Sequence, residues 1–133
     1  MYSYSMEKTV IIEASHIIPN HPGKCRNLHG HSWEITVRLN GFSPNEHTGM
    51  LLDFGLVSDY IKSFDHVHLN DMEAFRVLLP TAENLARVLM EGVYLLLLRA
   101  LPTASNNGGI EVEVAETASS RVVCHAYLWG LKG

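Results

Sequence analysis

The sequence predicts an α+β protein: a four-stranded antiparallel sheet with two helices on one face. Three observations lead there. Four segments alternate apolar and polar residues with a period of two. Two others repeat apolar residues every three or four positions. Their order along the chain is ββααββ, which suits hairpins joined across a pair of helices.

The first strand is read from about Lys8 to His16, where Val10, Ile12, Ala14 and His16 share one face. A loop follows over Ile17–Leu28, punctuated by Pro19, Pro22 and Gly23. The second strand runs from about His29 to Asn40, with Trp33, Ile35, Val37 and Leu39 on one face. Gly41–Gly49 is a turn-rich connection, and Met50–Asp53 is short and extended. Helix one is expected over Phe54–Phe64, capped by Asp53, with an apolar stripe of Leu56, Tyr60, Ile61 and Phe64. Asp65–Pro80 reads as a loop. Helix two is expected over Thr81–Leu101, with Thr81 as cap and Glu83 in the first turn. Leu85, Val88, Leu89, Val93, Leu96 and Leu97 give it a face to pack on a sheet. Pro102 and the Ser105–Gly109 stretch end it. The third strand runs from Ile110 to Thr117 and the fourth from Val122 to Trp129.

A chain of 133 residues, 47% of them apolar, suits one domain over 1–133 with a real core. Its formal charge of −4 disfavours nucleic acid as a partner. Two cysteines, Cys25 and Cys124, make no disulfide framework, so a reducing, cytoplasmic setting is expected. Met1–Lys8 has no basic segment followed by an apolar stretch, so no signal peptide is expected. Val93–Leu98 is apolar but bracketed by Glu91 and Arg99, so no membrane partner is expected.

The chemistry concentrates in histidines. In His29-Gly30-His31 the two rings are two residues apart, so on a strand they project together. His16 ends the inward face of the first strand. Each alone reads as a satisfied core histidine. Together they offer three imidazole ligands with a fourth position open, the pattern of a catalytic metal. Zinc suits such ligands first, iron or nickel less readily. Cys25 has two readings: a small buried residue, or a thiolate favoured by Lys24 and Arg26 on either side. Cys124, in an apolar strand, reads as structural. Asp65-His66 is either a helix-ending turn or a general acid–base pair in which the carboxylate orients the imidazole. His47 and His68 read as surface residues. Continuing the period of Ile110, Val112 and Val114 puts Glu116 on the inward face. A carboxylate there either ends the strand in solvent or accepts hydrogen bonds from a ligand with adjacent N–H donors, such as a guanine or pterin edge.

Six pieces then fall in one order: Glu13-Ala-Ser-His16, Cys25-Arg-Asn-Leu-His29-Gly-His31, Gly49-Met-Leu-Leu-Asp53-Phe54, Asp65-His66-Val-His-Leu69-Asn70, Pro80-Thr-Ala-Glu-Asn-Leu-Ala86 and Glu116-Thr117. With them, over roughly residues 8 to 127, the chain resembles the 6-pyruvoyl- and 6-carboxy-tetrahydropterin synthase family. The resemblance implies the tunnelling fold, or T-fold, in which subunits assemble into a barrel and two trimers stack as a hexamer. It implies His16, His29 and His31 as zinc ligands, and Cys25, Asp65 and His66 as a catalytic triad drawn from different subunits. It implies that Glu116 anchors the pterin ring, with Thr81 near the pterin pocket. Lys24 is a candidate contact for the phosphates. The implied substrate is 7,8-dihydroneopterin triphosphate. The short Cys25–His29 spacing resembles the bacterial 6-carboxy enzymes of queuosine biosynthesis, whereas the animal pyruvoyl enzymes carry a longer insertion. Ile17 departs from the basic residue that many relatives carry after the first ligand.

Overall fold

A computed structural model describes residues 2–101 and 108–128. Strand β1 spans Tyr4–His16 and β2 spans His29–Phe42. Helix α1 covers Phe54–Lys62, and a two-residue strand β3 follows at Val67–His68. Helix α2 covers Ala82–Ala100, and the chain ends in β4, Gly109–Thr117, and β5, Ser120–Tyr127. The class is α+β as expected, but the sheet has five strands in the order β3-β1-β2-β4-β5. The four long strands are antiparallel, while β3 runs parallel to β1, so the sheet is mixed. Two residues between α1 and a 3-10 turn at Leu69–Asp71 carry no periodicity, which is why β3 was invisible in the Asp65–Pro80 loop. The expected helix terminator at Pro102 and the expected end of the last strand at Trp129 lie outside the described residues.

The alternation seen in the sequence sets the layers. Val10, Ile12, Ala14 and His16 of β1 are buried, as are Trp33, Ile35, Val37 and Leu39 of β2 and Ile110, Val112 and Val114 of β4. Both helices cover this face, α1 over β1 and α2 over β4 and β5. Asp53 caps α1 by accepting from the Gly55 amide at 2.7 Å, and Thr81 caps α2 by accepting from the Asn84 amide at 3.1 Å. The buried stripe of α1 differs from expectation in one position. Val57 is fully buried, and Leu56, one residue and 100° away, is 49% exposed. Val57, Ile61 and Phe64 keep the i, i+4, i+7 spacing that Leu56 breaks.

The opposite face of the sheet is wet and charged. Arg38 on β2 lies 3.0 Å from Glu7 and 3.3 Å from Glu113, and Arg121 reaches Glu113 at 2.9 Å. Arg38 and Glu7 stand directly opposite one another, and the two contacts to Glu113 are diagonal cross-strand neighbours, the sheet counterpart of helical i,i+4 pairs.

Candidate active site

The β1–β2 register places His16 directly opposite His29, and Ala14 opposite His31. The strand period turns all three imidazoles to the core side, at the end of the sheet. One nitrogen from each lies within 4.8 Å of the other two. A tetrahedral zinc with Zn–N bonds of about 2.0–2.1 Å needs N···N separations of about 3.4 Å, so closure asks for side-chain shifts of about an ångström. Beneath the cluster lies Trp33, fully buried, its ring 5.0 Å from His16 and 5.1 Å from His31. Its indole N–H donates to the Ala14 carbonyl at 3.0 Å and pins that platform to β1.

Backbone carbonyls orient the rings. His16 Nδ1 lies 2.8 Å from the Pro80 carbonyl oxygen, and His29 Nδ1 lies 2.7 Å from that of Asn27. A carbonyl only accepts, so both Nδ1 atoms carry hydrogen and both Nε2 atoms present a lone pair. The Nε2 atoms of all three histidines are buried and make no hydrogen bond. The two acceptors on His16 and His29 have no partner and are costly, at about 1–3 kcal/mol each, unless something binds them. A metal ion is the group that fits. Burial pushes the pKa of His16 down despite the opposing Pro80 contact, and burial likewise outweighs the pull of Glu116 on His31. Both effects favour the neutral, ligating form.

Glu116 sits at a β-bulge where the β4–β5 register slips between Ala115 and Thr117. Its carboxylate stands 3.4 Å from His31 Nε2, half-buried on the histidine side of the sheet. Cys25 lies in a single 3-10 turn, Lys24–Arg26, half-buried between two exposed basic residues. Among the described residues it is not part of the three-histidine cluster, which leaves the fourth coordination position open. Thr81 is half-buried at the N-terminus of α2, one residue after the carbonyl that holds His16. Cys124 is half-buried in β5, and burial pushes its thiol up, away from the reactive thiolate.

Asp65 and His66 form a contact pair, with His66 Nδ1 2.9 Å from the carboxylate. The pair is fastened to β1 twice: Asp65 accepts from the Glu13 amide at 2.7 Å, and the His66 amide donates to the Glu13 carbonyl at 2.6 Å. The Glu13 amide, then the His66 contact, hold the Asp65 carboxyl below the usual carboxylate range. His66 adopts φ +56°, rare for a residue with a Cβ, and its side chain is 79% exposed. It opens into a cavity of about 500 Å³ whose walls include Glu13, Ser15, Ser32 and His68. Glu13, Ser15 and Ser32 alternate with the inward residues of their strands, so this cavity lies on the outward face. His31 touches it as well. Within one chain, His31 therefore belongs to the histidine cluster and also borders the cavity into which His66 opens.

Two features escaped the sequence. The Pro80 carbonyl lies 64 positions from His16, and Pro80-Thr81 signals only a helix start. His68 is not a bare surface residue: it is half-buried with Nδ1 2.9 Å from Ser15 Oγ.

Known proteins are similar to this chain in sequence and fold. The profile of the 6-pyruvoyl tetrahydropterin synthase family matches residues 5–126. A 6-carboxy-5,6,7,8-tetrahydropterin synthase from Bacillus subtilis is 32% identical over 140 aligned positions, covering 99% of this chain and 92% of the relative. A protein of the same description from Synechocystis is 33% identical, covering 85% of this chain and 86% of the relative. Among solved structures, a 6-pyruvoyl tetrahydropterin synthase from Caenorhabditis elegans superposes with a TM-score of 0.71 at 24% identity, covering 95% of this chain and 99% of that one. That likeness is one of fold, and it fits the T-fold. The chain belongs to the 6-pyruvoyl tetrahydropterin synthase family and is an enzyme of the tetrahydropterin synthase type, a lyase.

Proposed function

We propose that this protein is a zinc-dependent 6-carboxy-5,6,7,8-tetrahydropterin synthase that acts on 7,8-dihydroneopterin triphosphate, releasing triphosphate and acetaldehyde, in queuosine biosynthesis. The observation that carries the reading is the convergence of three buried, unpartnered Nε2 atoms beside the Glu116 carboxylate. It puts a metal position next to a group that can accept from a pterin edge. Relatives more than 30% identical over most of the chain are named for the carboxy product, which favours it over the pyruvoyl product.

His16, His29 and His31 hold the zinc. When bound, it acts as a Lewis acid toward side-chain oxygens of the substrate and makes the neighbouring C–H bonds more acidic. Glu116 accepts from the 2-amino and ring N–H donors and fixes the ring. Thr81 is assigned a place near the same pterin pocket. The Cys25 thiolate takes a carbon-bound proton, and Lys24 stands near enough in sequence to meet the phosphates. His66, its Nδ1 held by Asp65, moves a second proton through Nε2. In line with the family resemblance, the reading has Cys25 and the Asp65-His66 pair supplied by different protomers of a barrel-shaped hexamer. The enzyme is assigned to the cytoplasm. None of the described helices is long and apolar enough to cross a membrane.

The test is mass spectrometry of the products after zinc-loaded protein meets 7,8-dihydroneopterin triphosphate. A 6-carboxy-tetrahydropterin with acetaldehyde is the expected result. A 6-pyruvoyl product overturns the carboxy assignment, and unchanged substrate overturns the reaction.

A further inference from the structure

The outward cavity beside His66 has a chemistry of its own. Strand β3 pairs with β1 so that His68 stands in register with Ser15, and Ser15 Oγ lies 2.9 Å from His68 Nδ1. That bond turns the far edge of the ring, with Nε2, away from Ser15. On the neighbouring strand Ser32 Oγ lies 2.8 Å from both carboxylate oxygens of Glu13. Between them the floor is Gly30, which presents no side chain. The polar wall is therefore made of hydroxyls, imidazoles and a carboxylate. Among the described residues that line it there is no Lys or Arg.

That composition selects a ligand class. Polyphosphate recognition calls for Arg, Lys or a row of backbone amides, and a carboxylate facing a phosphate is repulsive. A hydroxylated carbon chain suits this wall, because each hydroxyl both donates and accepts, as Ser and His do. On the function proposed above, the atom whose proton His66 moves must come within about 3 Å of its ring, hence into this cavity. The hydroxyl-bearing side chain of the substrate then meets His68 and Ser32 there, while its phosphates lie elsewhere.

The geometry points to the Ser15–His68 pair as a recognition element for the hydroxylated side chain of the ligand: Ser15 positions the ring, and His68 Nε2 contacts a ligand hydroxyl. The pair lies on the same cavity as His66 and is not itself part of the three-histidine cluster, whose member His31 also borders that cavity.

The experiment compares binding of neopterin, which carries three side-chain hydroxyls, with 6-methylpterin, which carries none. Ligand fluorescence is titrated against the assembled, zinc-loaded protein, with metal content checked in each variant. Wild type is expected to prefer neopterin by about tenfold, as one or two net hydrogen bonds would give. His68→Leu and Ser15→Ala are expected to reduce that preference to less than about threefold while leaving 6-methylpterin affinity unchanged. Two further variants separate contact from scaffolding. His68→Gln extends an amide to the place of Nε2 but gives up the Ser15 bond, and is expected to keep more of the preference than His68→Leu. His68→Asn reproduces only the Nδ1 position facing Ser15 and is expected to lose it. The inference is overturned if wild type shows no preference, if His68→Leu retains it, or if Asn rescues and Gln does not. Turnover of the triphosphate substrate by wild type is scored separately. A preserved preference without turnover sinks the proposed reaction and leaves the recognition element standing.

Discussion

Loading the His16–His29–His31 cluster with zinc is expected to raise the melting temperature of this protein, and truncating one ligand is expected to remove most of the rise. The metal-free fold buries the unpartnered Nε2 atoms of His16 and His29, each costing about 1–3 kcal/mol, and binding removes that penalty only in the folded state. Free zinc at a hundred times its dissociation constant then stabilises by about 2.7 kcal/mol. Unfolding entropy of about 2.1 cal/mol/K per residue, over 133 residues, gives about 0.28 kcal/mol/K. The quotient is a shift of about 10 °C. The perturbation of choice is His29→Ala, because His29 is half-buried and solvent can replace its ring, whereas His16 is fully buried against Trp33 and leaves a void when truncated. The assay is thermal unfolding of chelator-treated protein at fixed protein concentration, with and without zinc. Wild type is expected to shift by about 10 °C and His29→Ala by less than about 3 °C. The pH sign follows from burial, which places the folded-state pKa values of His16 and His31 below the ordinary 6.5. Between those values and 6.5 the unfolded chain binds more protons, so metal-free stability falls as pH drops through 6.5 and levels off below the folded values. Equal melting temperatures with and without zinc, or an undiminished shift in His29→Ala, would refute the reasoning.

Two further outcomes rest on other parts of the structure. His66→Gly and His66→Ala both remove the imidazole and with it the proposed turnover. Because residue 66 sits at φ +56°, the Gly variant is expected to be more stable than the Ala variant by about 1 kcal/mol in urea unfolding; equal stabilities would mean that the left-handed turn is not populated in solution. Burial raises the Glu113 carboxyl, but hydrogen bonds from Arg121 and Arg38 outweigh it and hold the group below its usual range. Its contribution to stability is present above the ordinary carboxylate pKa and is lost as pH falls through the depressed value. Glu113→Gln is therefore expected to cost about 1–3 kcal/mol near neutrality and to flatten the acid limb of a stability–pH profile, while an unchanged limb would count against the ion-pair cluster.

Much of this molecule is decided by local pattern. A period of two fixes which face of each strand is apolar, and the same rule puts His29 and His31 on one face whatever the rest of the chain does. Asp53 and Thr81 announce their helices because a cap is a contact between residues two or three apart. What the sequence could not determine involves partners far apart in the chain or backbone angles set by packing. The Pro80 carbonyl that fixes the His16 tautomer, the Glu13 amide that locks Asp65 and the Ser15 hydroxyl that aims His68 are each more than fifty positions from the group they hold. Val57 rather than Leu56 faces the core because β1 lies on that side of α1, and no helical period specifies where the sheet will be. Local periodicity thus determined the four long strands, the helices and the facing of the histidines. Only tertiary contact decided which nitrogens make no hydrogen bond, that His66 stands exposed, and that His31 borders both the cluster and the cavity beside the acid–base pair.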